Sequence, residues 1–247
     1  MKRASTENVF PDKALSNYRI TKLPNSLREL PNFILRMTNF IPIFPLGIVV
    51  FPGEHLNLHI FESRYKQLVQ ECIDQKKPFG IPSVIDNKLQ EFGTLVEIRE
   101  ISKVHDNGEM DIKTEGSAIF RILEVIKEVP GRLYSGAIVN YPHNNNESSP
   151  EHMRKLMVAV RELHQQLKVG KDFKKAEDEI GSYDVAHHVG LSLQEEYELL
   201  CLMDERYRQE YLKRHLVKVM PTVAGMEKLR EKINLNGHFK DLKGFNL

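Results

Sequence analysis

The stretch IPIFPLGIVVFPGE, residues 41–54, constrains the fold more than any other part of the chain. It is almost wholly apolar, yet Pro42, Pro45 and Pro52 interrupt it, as do Gly47 and Gly53. A spanning helix needs about 18 or more consecutive apolar residues. The run from Phe40 to Phe51 is too short and is broken by its prolines, so a membrane anchor is excluded. Proline also lacks a backbone donor, so the segment cannot be a fully paired central strand. It is predicted to be an edge strand that bends around Pro45-Leu46-Gly47. Ile43, Phe44, Ile48, Val49 and Val50 then supply core contacts, and some of the edge stays available.

The sequence that follows reads mainly as β. LNLHIF places Leu56, Leu58 and Ile60 on one face, the period of a half-buried strand. Phe61, Tyr65, Leu68, Val69, Cys72 and Ile73 then fall on one stripe of a 3.6-residue period, which predicts a helix closed by Pro78. Five further runs read as strands: FGIPSVI, GTLVEIREISKV, MDIKTEGS, AIFRILEVIKEV and YSGAIVNY. Asp106-Asn107-Gly108 lies between two of them and predicts a hairpin turn, because Asn-Gly tolerates positive φ. Short strands with one inserted helix suggest a small, partly closed β-barrel or sandwich.

Composition changes at HNNNESS, residues 143–149, and helical patterns follow. Ser149 can cap a helix that starts with Pro150 and Glu151 and carries Met153, Leu156, Met157, Val160, Leu163, His164 and Leu167 on its apolar stripe. A short helix is predicted over Tyr183 to Val189. Ser192 and Glu195 form a capping box for the next helix. A long last helix begins near Asp204, and Pro221 is expected to kink or break it. The organisation is therefore a polar, partly disordered extension over 1–38, a β-rich domain over 39–142 and a helical bundle over 143–247.

The chain contains no phosphate-binding loop of the GxxxxGK[ST] type, no GxSxG elbow, no HExxH and no paired CxxC. His55 and His59 share a strand face, but no acidic or cysteine ligand sits at a fitting sequence spacing, so no metal is expected. His187 and His188 are neighbours on a helix and point about 100° apart. Cys72 and Cys201 read as buried hydrophobes rather than nucleophiles, and two distant cysteines suit a reducing cytoplasm. Arg206, Arg208, Lys213, Arg214 and Lys218 alternate with Glu205 and Glu210, the pattern of a solvated helix face with local ion pairs. The net charge of +1 supplies no field for nucleic acid or an anionic membrane.

The segment IPIFPLGIVVFPGEHLNLHIFESRYKQLV (41–69) resembles the N-terminal, substrate-binding domain of the ATP-dependent protease Lon. Its marks are Pro-Leu, a Phe-Pro pair, an alternating strand and Phe-Glu-x-Arg-Tyr. GTLVEI (93–98), IKTEGSAIFRILEV (112–125) and the helical LLCLMDERYRQEYLKRHL extend the resemblance to about residues 40–235. It implies an α+β fold: a small PUA-like β-domain with one inserted helix, followed by a C-terminal helical bundle. Lon continues into an ATPase module and a serine–lysine peptidase domain, whereas this chain is similar to the stand-alone bacterial relatives of the domain.

The implied function is a non-catalytic, cytoplasmic protein-binding module without a cofactor. Its partners would be unfolded or apolar protein segments, or a protease or other protein. A groove where the β-domain meets the helices, or an exposed sheet edge, would receive them. Phe44, Leu46, Phe51, Phe61, Arg64, Tyr65 and Phe79 are the candidate contacts, and core packing is the competing role for each. RNA binding is the alternative, since PUA-like folds often bind RNA, but there is no basic, aromatic-studded strand face.

Overall fold

The structure, a computed structural model, describes residues 3–4, 39–147, 150–170, 173 and 175–238. The extension expected over 1–38 lies outside the described residues except for strand β1, Arg3–Ala4, which pairs in parallel with Asn57 and Leu58. Ser149, expected as a helix cap, also lies outside them. Among the described residues no helix is long and apolar enough to cross a membrane.

The chain is mixed α/β and divides into two compact units, one of 1–145 with 192–203, the other of 146–191 with 204–247. The first is built on an antiparallel sheet. Its further strands are β2 (Phe40–Pro42), β3 (His55–Ile60), β4 (Phe79–Ile85), β5 (Lys88–Val104), β6 (Met110–Ile126) and β7 (Gly136–Asn140). They pair in the order β3-β6-β5-β4, with β7 on β6 and β2 on β7. The Asn-Gly hairpin forms as predicted: Gly108 has φ +74°, and the amides of Gly108 and His105 close the turn on His105 and Glu109. MDIKTEGS and AIFRILEVI are one strand of 17 residues rather than two, because Gly116 does not end pairing. A Cβ on Gly116 would strike the Phe51 carbonyl, so glycine admits the Phe51–Glu54 turn and the ladder runs on.

Residues 41–54 do not form a free edge. β2 pairs antiparallel with β7, and the chain then crosses to β4. The amides of Phe44 and Leu46 donate to the carbonyls of Gly80 and Pro82 at 2.8 and 3.2 Å, and the Val84 amide donates to the Leu46 carbonyl at 2.8 Å. The hydrogen-bonded path from β7 through β6, β5 and β4 thus returns to β7 through this segment. Pro42 ends β2, Pro45 falls between two bonded residues, and Pro82 sits at the irregularity of β4, so each proline avoids a position that must donate.

Two cores result. Ile41 and Ile43 join Val84, Leu95, Phe120, Ile122 and Val139, whereas Phe44 and Leu46 join Leu56, Leu58, Ile60, Phe79 and Ile112. The single inserted helix, α1 (Ser63–Gln75), completes the second core with Tyr65, Leu68, Val69 and Cys72. Lys76 ends it in the left-handed conformation, φ 52°. Glu71 of α1 accepts from Arg132 Nε and from the Tyr134 hydroxyl, both at 2.7 Å, which pins the helix to the β6–β7 connection. β4 is buried at all seven positions because both its faces are covered, so it reads as a continuous apolar run. Helix α4 (Leu193–Leu200) belongs to this unit, although it lies beyond the composition change at 143. Its capping box is present: the Ser192 amide donates to Glu195 Oε2 at 2.8 Å, and the Glu195 amide donates back to Ser192 Oγ at 3.3 Å.

The second unit holds α2 (Pro150–Leu167), α3 (Ser182–Ala186) and α5 (Glu205–His238). Met153, Leu156, Met157, Val160 and Leu163 bury one face of α2, and Leu212 and Leu216 bury the start of α5. Pro221 is expected to kink or break the last helix, and α5 runs on through it without a break. Proline deletes the bond to the Val217 carbonyl four residues back, and Val217 is exposed, so water can take that carbonyl.

Candidate functional site

The seven residues expected to contact a peptide separate into two groups. Phe44, Leu46, Phe51, Tyr65 and Phe79 are all core, at 0–4% exposure. Phe44 stacks on Tyr65 with ring centroids 3.9 Å apart and lies 6.2 Å from Phe79. These side chains are packed in the interior, the competing role for each, and do not line a groove. Phe61 and Arg64 remain nearer the surface. Phe61 is 39% exposed, and Arg64 is held by Glu62 at 2.9 Å with its guanidinium 4.7 Å from the Tyr65 ring. Arg64 is thus a clasp at the start of α1.

Neither cysteine is poised for nucleophilic work. Burial pushes the Cys72 thiol up to about 12 and the Cys201 thiol up to about 11, so both are protonated at neutral pH. His55 and His59 do not act together. His55 lies across from Glu115 and is largely exposed, whereas His59 meets Asp111, Glu109 and the ring of His105.

The helical unit carries a groove of about 660 Å3 between α2 and α5. Leu156, Ala159, Leu216, Val217 and Met220 give it an apolar floor and wall. Lys155, Glu162, Arg206, Glu210 and Lys213 stand around it and alternate in sign. Lys155 bonds Glu151 at 2.7 Å, which holds that exposed carboxyl below the usual range, and Lys213 bonds Glu210 at 3.3 Å. The rim is therefore already neutralised, and charge does not select one sign of ligand.

One polar atom stands out. Gln209 lines the groove and is buried; its amide nitrogen donates to Glu205 Oε1 at 3.3 Å, while its carbonyl oxygen has no hydrogen-bond partner. A buried acceptor left unpaired costs about 1–3 kcal/mol. The Glu205 bond fixes which end of the amide faces the carboxylate, so the oxygen is held as an acceptor.

Beneath Gln209 lies a buried ionic network that the sequence reading missed. Arg208, expected on a solvated face, is fully buried, and Glu205 is 3% exposed. Arg208 Nε donates to Glu205 Oε2 and an Nη to Asn146, both at 2.8 Å, and the guanidinium lies 4.3 Å from the Tyr183 ring. Glu205 also accepts from the Ser182 amide and hydroxyl at 2.9 and 2.7 Å. His164 and His215 bind the carbonyls of His188 and Val189 at 2.8 and 3.0 Å. These bonds seat the α3 segment and hold the start of α5, and so fix Gln209.

The sequence from 41 to 218 matches the family described as the ATP-dependent protease La (LON) substrate-binding domain. Two solved structures are similar. A Lon N-terminal domain protein from Xanthomonas campestris is 26% identical, with TM-score 0.55, over 71% of this chain and 97% of that one. The N-terminal domain of a Mycobacterium avium complex Lon protease is 12% identical, also at TM-score 0.55, over 72% of this chain and 98% of that one, and shows likeness of fold alone. The matched span covers both units and most of the described residues, and the chain therefore belongs to the Lon substrate-binding domain family.

Proposed function

We propose that the protein is a non-catalytic polypeptide-binding module that takes unfolded or apolar protein segments into the α2–α5 groove. The carrying observation is the open apolar floor and wall of the groove, rimmed by charges of both signs. An extended segment offers what such a site lacks: apolar side chains to cover Leu156, Val217 and Met220. Apolar pockets with few, placed polar groups are the usual form of a binding site. Membership of a substrate-binding domain family supports the same role. The first unit is read as a PUA-like β-domain and the second as a helical bundle, and both free cysteines suit a cytoplasmic location. Phe61 is the one strongly exposed member of the expected contact set and stays a secondary candidate.

The test is a titration of a labelled, permanently unfolded protein followed by fluorescence anisotropy. Saturable binding in the micromolar range is expected. Val217→Glu combined with Met220→Glu weakens it at least tenfold, since each charge must be desolvated on an apolar floor. Leu167→Glu, a substitution at an exposed position outside the groove lining, leaves it unchanged. Absence of saturation at high-micromolar protein, or indifference to the Val217 and Met220 changes, refutes the assignment.

A further inference from the structure

We propose that His59, His105 and Asp111 form a divalent transition-metal site of the zinc class, with Glu109 as the outer carboxylate that orients His59. Each of the three offers one ligand atom, and these atoms lie within 4.8 Å of one another. His59 Nδ1 is 2.7 Å from Asp111 Oδ1, and His105 Nε2 is 2.9 Å from Asp111 Oδ2. The other ring nitrogen of His59, Nε2, is 3.1 Å from Glu109 Oε2.

The backbone fixes these positions. His59 and Asp111 are cross-strand partners of β3 and β6. His105 directly follows β5, and its amide closes the hairpin on the Glu109 carbonyl at 2.8 Å. The ligands thus come from the paired strands β3 and β6 and from the tight turn that joins β5 to β6. All four side chains are half-buried, so an ion can enter and a water can complete its coordination.

The donor set also suits a cation. A neutral imidazole has one N–H and cannot donate to carboxylates at both nitrogens, as an imidazolium would. A metal at Nδ1 resolves this: His59 then binds the ion through Nδ1 and donates Nε2–H to Glu109. That is the imidazole–carboxylate relay by which metal-bound histidines are held. Asp111 and Glu109 together offset a 2+ charge. Tetrahedral ligands at zinc bond lengths stand ~3.3 Å apart, so the present contacts need open by only about half an ångström. Two imidazoles and one carboxylate suit zinc and similar ions better than calcium or magnesium, which prefer oxygen. The sequence hid this site because its ligands are separated by up to 52 residues and meet only through strand register.

The experiment uses the full chain, freed of metal by chelation and titrated with Zn2+ by calorimetry. One Zn2+ per chain is expected, and Co2+ in its place should give the intense visible absorption of a tetrahedral centre. His105→Gln, at the hairpin end, weakens binding more than tenfold; Glu109→Gln weakens it about tenfold. Far-UV circular dichroism checks each variant, and Asp111→Asn replaces any that unfolds. No saturable Zn2+ binding means an ionic clasp only and overturns the proposal. Unchanged stoichiometry and affinity in His105→Gln and Asp111→Asn place the ion elsewhere and overturn it as well.

Discussion

The buried Arg208–Glu205 pair supports a quantitative test. Replacing Arg208 by Met keeps much of its volume but strands the Glu205 carboxylate, which is 3% exposed. Breaking a buried ion pair from one side costs about 3–5 kcal/mol. The stranded carboxylate keeps the Ser182 amide, the Ser182 hydroxyl and the Gln209 amide as donors, which favours the low end, about 3 kcal/mol. Loss of the guanidinium 4.3 Å from the Tyr183 ring adds about 1 kcal/mol in this desolvated setting. The expected total is about 4 kcal/mol, against a typical stability of 5–15 kcal/mol. Glu205→Gln retains an acceptor for Ser182 but takes the neutralising carboxylate from Arg208 Nε. The two changes together should cost less than their sum by at least ~2 kcal/mol, because each removes the other's stranded charge.

The chain has no Trp, so urea unfolding is best followed by far-UV circular dichroism. At a slope of about 1–3 kcal/mol per M, the Arg208→Met transition falls by about 2 M. A shift worth less than about 0.5 kcal/mol, the behaviour of an ordinary surface substitution, refutes the buried-pair reasoning and restores the solvated face that the charge pattern suggests. Strict additivity of the two changes would equally show that the residues do not act as a pair.

Gly116→Ala drives a Cβ into the Phe51 carbonyl, a backbone atom fixed by the bonds from Gly53 and Gly116 across the turn. A loss of about 1–3 kcal/mol in thermal or urea unfolding is expected, and a neutral result would mean that the turn moves freely. Stability should also fall in alkali. Burial raises the Cys72 thiol from its ordinary 9.0 to about 12 and Cys201 from 9.0 to about 11, and raises the Tyr134 and Tyr197 hydroxyls in the same direction. A folded-state pKa above the unfolded value gives stability that is whole below the unfolded pKa and is lost as pH rises through the folded one. The urea midpoint should therefore hold up to about pH 9 and then drop, by about 1 kcal/mol per pH unit after discounting the more exposed Cys201; a flat profile to about pH 11 contradicts the burial.

Local rules made much of the fold legible in sequence. The alternation of Leu56, Leu58 and Ile60, the Asn107-Gly108 turn and the Ser192–Glu195 box each depend on neighbours along the chain, and each forms. What failed depends on what covers a face. Apolar character marks Phe44, Tyr65 and Phe79 as core or groove residues alike but cannot say that they pack on one another. Charge alternation on α5 cannot show that Arg208 turns inward to Glu205 and Tyr183, because the sequence prices a buried charge only once its partners are known. Gly116 reads as a break between two strands, although a missing Cβ also lets another backbone approach. His59, His105 and Asp111 have no legible spacing, since the hairpin and the β3–β6 register bring them together.

The same covering argument decides between the two routes by which a polypeptide could bind. Strand addition at β4 would have to displace residues 43–46, which already hold that edge. It would break the three backbone bonds of Phe44, Leu46 and Val84, worth about 1 kcal/mol each. It would also uncover Phe44 and Leu46, at about 2 kcal/mol each or more. The cost of about 7 kcal/mol nearly matches the whole free energy of a micromolar complex, about 8 kcal/mol. The α2–α5 groove asks for no such exchange, because its apolar wall is already open. A ligand there covers apolar surface and displaces no backbone bond, so the groove, and not the proline-rich segment, is the proposed binding site.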